Sequence, residues 1–211
     1  MYVLLLAEGF EEVEAVTPAD FLRRAGVDVR LVGVSGRIVE GSHGIRIEAD
    51  ATLDELAAPG QTTGAGGTAD PADAGSRAEG GALASGGLPE GVIVPGGMPG
   101  AANIAASPSA MALVRRVFEA GRLVAAICAA PAVVLASASI VKGRRVTCYP
   151  GFEERFAGTG AHFTEERVVE DGNLITSRGP GTAAEFAIRL VARIAGQDKA
   201  EELDRRTLQR D

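Results

Sequence analysis

The sequence predicts a doubly wound α/β sandwich, and three observations carry that expectation. Residues 2–7 (YVLLLA) and 123–127 (LVAAI) are unbroken apolar runs of strand length, which is how strands buried on both faces of a parallel sheet read. Between such runs lie segments whose apolar residues recur at helical spacing, and alternating strand and helix builds a sheet covered on both sides. Finally, 46% of the 211 residues are hydrophobic, ample for the core of a single domain of ordinary size.

The first strand ends in the turn Glu8-Gly9-Phe10. The next segment, EEVEAVTPADFLRRAG, places Val13, Val16, Leu22 and Ala25 at helical intervals and stops at Gly26, a residue that accepts the left-handed cap without steric cost. Residues 27–34 (VDVRLVGV) complete a βαβ unit. Residues 37–40 and 45–48 flank Gly41-Ser42-His43-Gly44 and predict a small peripheral hairpin. From 59 to 90 the composition shifts to nine glycines and seven alanines, with Leu83 and Leu88 the large apolar residues. Such a tract buries too little surface to offset its ordering entropy, so it predicts a flexible surface insertion within one domain spanning 1–211.

The pattern resumes with a short strand at 92–95 that ends in Gly96-Gly97-Met98-Pro99-Gly100. Ser107-Pro108 opens a helix to about Ala120, with proline at the first helical position. The LVAAI strand runs directly into Cys128-Ala129-Ala130-Pro131. Residues 132–138 then predict a helix, 144–148 a strand, and 167–170 with 174–177 a hairpin about Asp171-Gly172-Asn173. Thr182 and Glu185 have the spacing of a capping box. They precede a helix whose face Ala183, Phe186, Leu190, Val191 and Ile194 suits docking on a sheet.

Charge and cysteine content narrow the function classes. Lys and Arg number 21 against 28 Asp and Glu, for a formal net charge of −7, with no basic block. Nucleic-acid and anionic-membrane surfaces need a concentrated positive field, so neither partner is expected. The apolar run from Met1 to Ala7 is too short to span a bilayer and meets Glu8 and Glu11 without a basic leader or cleavage site, which predicts a cytoplasmic protein without a targeting segment. Cys128 and Cys148 are too few for a disulfide framework and match no zinc spacing. No metal or cofactor is expected.

Ligands of open parallel sheets gather at the carboxyl ends of the strands, which directs attention to residues 8–14, Gly96-Gly97 and Cys128. Cys128 sits where a strand passes quickly into a helix. A sharp turn there exposes the side chain, and unpaired N–H groups at a helix start favour a thiolate. The same turn supplies the Ala129 N–H, and Gly97 offers a second donor for a developing oxyanion; Gly96 belongs to the same pocket. Glu14 is the second candidate. It follows the apolar-face residue Val13, and Pro18 crowds its carbonyl and kinks the helix, so it is set apart from the solvated charges Glu11 and Glu12. A carboxyl group pressed into an apolar pocket beside a thiolate has its pKa raised and then serves as proton donor and shuttle.

Other polar residues carry less. His43 and His162 are not adjacent to the candidate nucleophile, which argues against a Cys-His pair, and both read as surface or hydrogen-bonded structural residues. Cys148 falls inside a predicted strand and reads as structural rather than as a resolving thiol. The segment Arg178-Gly179-Pro180-Gly181-Thr182 lacks the lysine and spacing of a phosphate loop and reads as a strand-to-helix turn.

The strings AEGFEEVEAVTPADFLRRAG, VPGGMPGAANI, AAICAAPAVV and TSRGPGTAAEFA, in that order, resemble the ThiJ/PfpI superfamily, in the branch of the Parkinsonism-associated deglycase and the YajL-type proteins. The resemblance implies a flavodoxin-like sandwich and a homodimer. It carries the reactive nucleophile onto Cys128, its protonated carboxyl partner onto Glu14 and the backbone donors onto Gly97 and Ala129. Members with peptidase or amidotransferase chemistry place a histidine straight after the cysteine or bring one from a later loop; here Ala129 follows, which disfavours that chemistry. Some members of the deglycase branch carry a histidine near the cysteine where this chain has Tyr149. The implied activity is cofactor-independent conversion of 2-oxoaldehydes such as methylglyoxal and glyoxal, or of their adducts, to 2-hydroxy acids. The alternative is a redox-sensing or chaperone-like stress protein in which the same cysteine oxidises.

Overall fold

The computed structural model describes residues 1–57 and 87–209, so the insertion expected at 59–90 lies outside the described residues except for 87–90. Those residues belong to the folded body. Leu88 packs against the core, the carbonyls of Leu88 and Pro89 accept from the Arg122 guanidinium, and the Glu90 N–H donates to the Met1 carbonyl at 2.9 Å. The expected boundary at 90 therefore takes in residues that pack on and hydrogen-bond with the folded body.

The chain runs β1 (Tyr2–Leu6), α1 (Glu12–Arg24), β2 (Val29–Gly33), the hairpin β3 (Ile38–Glu40) and β4 (Arg46–Glu48), β5 (Ala51–Thr52) and α2 (Leu53–Ala57). After the tract come β6 (Gly91–Val94), α3 (Gly100–Ala106), α4 (Pro108–Glu119), β7 (Leu123–Ile127) and a π-helical turn, Pro131–Leu135. The last elements are β8 (Arg145–Val146), β9 (His162–Phe163), β10 (Val168–Asp171), β11 (Leu174–Ser177), α5 (Ala183–Ala195) and α6 (Gln197–Arg206). Seven strands form the main sheet in the order β10-β11-β7-β6-β1-β2-β5, parallel throughout except for the β10–β11 hairpin at one edge. The four residues of β6 and the five of β7 are all buried, as their uninterrupted apolar sequence requires.

The strand order places the site. From β1 the chain winds outward to β2 on one side, then returns to β6 on the other, so the connections leaving β1 and β6 diverge and open a crevice at the strand ends. The fold is the expected doubly wound α/β sandwich of flavodoxin-like type.

Several local expectations need correction. On α1, Val13 and Val16 are 48% and 47% exposed, whereas Glu12, Glu14, Ala15, Pro18, Ala19 and Leu22 are buried. Ala15, Ala19 and Leu22 are also spaced helically, and this second stripe is the one that packs; α1 continues through Pro18 as one helix. The peripheral hairpin docks on the start of α1: the Gly9 N–H donates to the Glu40 carbonyl at 2.8 Å and the Ser42 N–H to the Phe10 carbonyl at 2.8 Å. Only Arg145–Val146 of the strand expected at 144–148 forms, paired with β9 in a separate two-stranded sheet. Its continuation is diverted, because the Thr147 N–H donates to the Thr176 hydroxyl and the Tyr149 N–H to the Cys128 carbonyl. The helix expected at 132–138 is the π-helical turn. Finally, the Thr182 hydroxyl turns back to Gly179 and Ser177 while Glu185 pairs with Arg167, so Thr182 and Glu185 form no capping box.

Candidate active site

Three strand ends meet at Cys128. Strand β7 delivers the residue in the left-handed backbone region, with φ of 65°, a conformation costly for any side chain that bears a Cβ. Hydrogen bonds hold it there on both sides: the Cys128 N–H donates to the Ser177 carbonyl at 2.9 Å, and its carbonyl accepts from the Tyr149 N–H at 2.8 Å. The residue is 9% exposed. The backbone N–H groups of Gly97 and Ala129 both point at the sulfur, which joins the two expected donors on one atom.

Gly96 and Gly97 fit this place because nothing larger does. A Cβ at Gly96 would lie 2.5 Å from the Cys128 Cβ and 2.6 Å from Glu14 Oε2. Gly97 has φ of +84°, and a Cβ there would meet the Glu11 nitrogen at 2.4 Å and the Gly9 carbonyl oxygen at 2.5 Å. The β6 loop is thereby pressed between the other two, and the Glu11 N–H donates to the Gly96 carbonyl at 3.0 Å.

Glu14 is fully buried. Its Oε2 accepts from the Gly96 N–H at 2.9 Å, its carboxyl group lies beside the Cys128 thiol, and Oε1 is buried without a partner. Burial, reinforced by the Glu11 charge, raises its pKa to about 7, against the lowering effect of the Cys128 thiol and the Gly96 N–H. Burial and the Glu14 carboxylate push the Cys128 thiol up to about 12, although the Gly97 and Ala129 N–H groups work in the other direction. The expectation of an independently acidic, open thiol is thus corrected, because a buried sulfur beside a carboxylate has little reason to ionise. The two groups titrate as one pair that keeps a single proton once the first is lost. When that proton sits on Glu14, the repulsion is gone and the acid donates to sulfur, so the thiolate exists together with the protonated acid.

The remaining residues sort clearly. Tyr149 lies at the mouth, 44% exposed, with its ring against Gly179. Cys148 is fully buried beyond β8, and its Sγ donates to the Tyr149 carbonyl; burial raises its thiol to about 12. His162 lies in β9, away from the pair in the chain's layout. His43 pairs instead with Glu12, Nδ1 to Oε2 at 2.9 Å. A groove of about 510 Å³ across α5 and α6 is lined by Glu170, Arg189, Arg193 and Asp204 among others and contains no nucleophile.

Glu12 and Gly179 escaped the sequence reading. Glu12 is only 5% exposed, which corrects its reading as a solvated charge. It accepts from the His43 N–H at 2.8 Å and the Ile45 N–H at 3.4 Å. Burial alone would raise its pKa, but the His43 ring and these N–H groups hold it at about 2. Its donors come from a loop some thirty residues away, and no local signal marks them. Gly179 lies between the Tyr149 ring and Glu14 Oε1; the only hint was its place in the turn after β11.

Comparison with known proteins gives the family and supports the fold. The sequence profile of the DJ-1/PfpI family matches residues 2–193. Protein dj-1beta of Drosophila melanogaster is 35% identical over 95% of this chain and 92% of its own length, and its crystal structure superposes with a TM-score of 0.80 over 98% of this chain and 96% of that one. Glutathione-independent glyoxalase DJR-1.2 of Caenorhabditis elegans is 31% identical over 95% of this chain and 91% of its own length. Against Protein DJ-1 homolog A of Arabidopsis thaliana, 34% identical over 94% of this chain, the chain spans 44% of the relative's length. With a profile match over nearly all of its length and relatives that it covers almost end to end, the chain belongs to the DJ-1/PfpI family.

Proposed function

We propose that the protein is a cofactor-independent glyoxalase that converts 2-oxoaldehydes such as methylglyoxal and glyoxal, free or as adducts, to 2-hydroxy acids. The observation that carries this reading is the buried Cys128–Glu14 pair, with two backbone N–H groups aimed at the sulfur. The chemistry requires a nucleophile and a proton carrier that act on adjacent atoms, and this pair supplies both. The name of the nematode relative, a glutathione-independent glyoxalase, supports the same class.

The steps balance without an external oxidant. The Cys128 thiolate adds to the aldehyde carbon, forming a C–S bond, and the Gly97 and Ala129 N–H groups stabilise the oxyanion before it takes the Glu14 proton. The Glu14 carboxylate then removes the hydrogen from that carbon as a proton and returns it to the neighbouring carbonyl carbon, while the proton of the newly formed hydroxyl passes to the neighbouring oxygen, so that the first C–OH becomes C=O and the second C=O becomes C–OH. The result is a thioester of the 2-hydroxy acid: one carbon is oxidised and its neighbour reduced. Water cleaves the C–S bond, and the thiol and acid are regenerated.

Cys128→Ser tests this directly. Methylglyoxal turnover should be abolished while the thermal unfolding of the protein is retained; sustained turnover would remove Cys128 from the mechanism. Stoichiometric oxidation of Cys128 by mild peroxide with negligible turnover would replace catalysis by the redox-sensing role. The second-copy partner implied by the family resemblance belongs to the same proposal, and sedimentation at working concentration reads it.

A further inference from the structure

We propose that Tyr149 is a specificity-determining residue whose ring walls the mouth of the Cys128–Glu14 site and favours 2-oxoaldehydes with compact substituents over bulky ones. The substrate identity rests on the glyoxalase reading; the wall itself rests only on geometry.

Two backbone hydrogen bonds place residue 149 and one aromatic contact meets its ring. The Tyr149 N–H donates to the Cys128 carbonyl at 2.8 Å, and its own carbonyl accepts from the Phe152 N–H at 3.1 Å. The ring also meets Phe152 edge-on, with centroids 6.5 Å apart and planes at 73°, an arrangement aromatic pairs favour. The backbone that bears this 44% exposed side chain is thus tied to the residue that carries the sulfur, and the ring leans on Phe152.

The ring also has a defined neighbour. A methyl group at Gly179 would lie 2.9 Å from Tyr149 Cδ2, 3.3 Å from its Cε2 and 3.9 Å from Glu14 Oε1. One ring edge and the free oxygen of the buried acid therefore border the same small volume beside the bare Gly179 backbone. Glu14 Oε1 is buried and has no hydrogen-bond partner, which makes it the atom of the acid left to meet a substrate, since buried polar atoms are otherwise satisfied. Cys128 is only 9% exposed. A molecule that bonds to the sulfur and reaches Oε1 has to fit beside the Tyr149 ring, so the substituent on its carbonyl carbon is what the ring measures. Gly179 at φ 166° is extended; its value lies in the missing side chain, which lets the ring close on the acid.

The test compares two sizes of probe in the wild-type protein, Tyr149→Ala and Tyr149→Phe. Kinetics with methylglyoxal and phenylglyoxal give a ratio of kcat/KM values. Alkylation of Cys128 by iodoacetamide and by N-phenylmaleimide, followed by the mass of the Cys128 peptide, gives a second ratio that involves no aldehyde chemistry. Removing the ring should shift both ratios toward the larger probe by roughly tenfold, the scale on which a pocket wall discriminates, while Tyr149→Phe, which keeps the ring, should hold both near the wild-type values. Unchanged ratios in Tyr149→Ala, or an equal shift in Tyr149→Phe, would overturn the wall. If no aldehyde is turned over by any of the three proteins, the glyoxalase reading fails, and the alkylation ratio alone decides the role of Tyr149.

Discussion

Two carboxyl groups stand two residues apart on α1, both removed from water, and the protein treats them in opposite ways. Glu12 is 5% exposed and Glu14 not at all, yet the first is held ionised with a pKa of about 2 and the second is raised to about 7. Burial raises both, Glu14 the more because it lies deeper, and the supply of donors then drives them further apart. Glu12 collects the His43 ring and the N–H groups of His43 and Ile45. Glu14 receives one backbone N–H on Oε2 and nothing on Oε1, and its other neighbour is a thiol. A carboxylate surrounded by donors keeps its charge, and one given few donors keeps its proton. The first anchors the β3–β4 hairpin to the start of α1, and the second is free for chemistry.

This contrast has consequences of decreasing size. The largest is Glu14→Gln, which keeps an acceptor for the Gly96 N–H but removes the movable proton; methylglyoxal turnover should fall by about 10²–10⁴-fold. The same variant should abolish a stability trend. Because the Glu14 pKa is raised from 4.5 to about 7, the folded state binds the proton more tightly than the unfolded chain. The resulting stability is complete below about pH 4.5 and is lost as pH rises through 7, by up to about 3 kcal/mol. Denaturant titrations at pH 5 and pH 8 should show this loss in the wild type and not in Glu14→Gln.

Next in size is Gly96→Ala, where the added methyl meets the Cys128 Cβ and Glu14 Oε2 within 2.6 Å. Overpacking of this kind costs about 1–3 kcal/mol, and prising the pair apart should lower turnover with it. Urea unfolding midpoints and kinetics read both effects. The smallest is Glu12→Gln, which retains an acceptor but loses the charge, for about 1 kcal/mol at neutral pH. Its pH dependence should have the opposite sign to that of Glu14. With the Glu12 pKa lowered from 4.5 to about 2, its contribution is present above about pH 4.5 and disappears as pH falls toward 2. Acid unfolding of the wild type and Glu12→Gln should therefore converge at low pH.

The same contrast shows what the sequence made legible. The strands, the doubly wound class, Cys128 at the end of β7 and the glycine pair after β6 could be read because each depends on short-range patterns of apolar runs and turn residues. Glu14 was recognisable as a candidate, but the helix stripe that buries it was misread: Val13 and Val16 are the larger residues, and only tertiary packing selects the Ala15, Ala19 and Leu22 face. Glu12 reads as solvated in the sequence because its donors sit on a hairpin distant along the chain. The strand at 144–148 was overextended for a similar reason, since Thr176 and Cys128 claim the backbone of residues 147 and 149. Long-range partners of single polar groups leave no periodic trace.

The most direct measurement of the shared proton is the rate of Cys128 alkylation by a small electrophile across pH, in the wild type and in Glu14→Gln. The account predicts that the wild-type rate rises through an inflection near pH 7, where the pair loses its first proton, and that Glu14→Gln loses this inflection and reacts more slowly at neutral pH. An identical profile in both proteins, or a wild-type inflection in the ordinary thiol range at about 8.5, would contradict it.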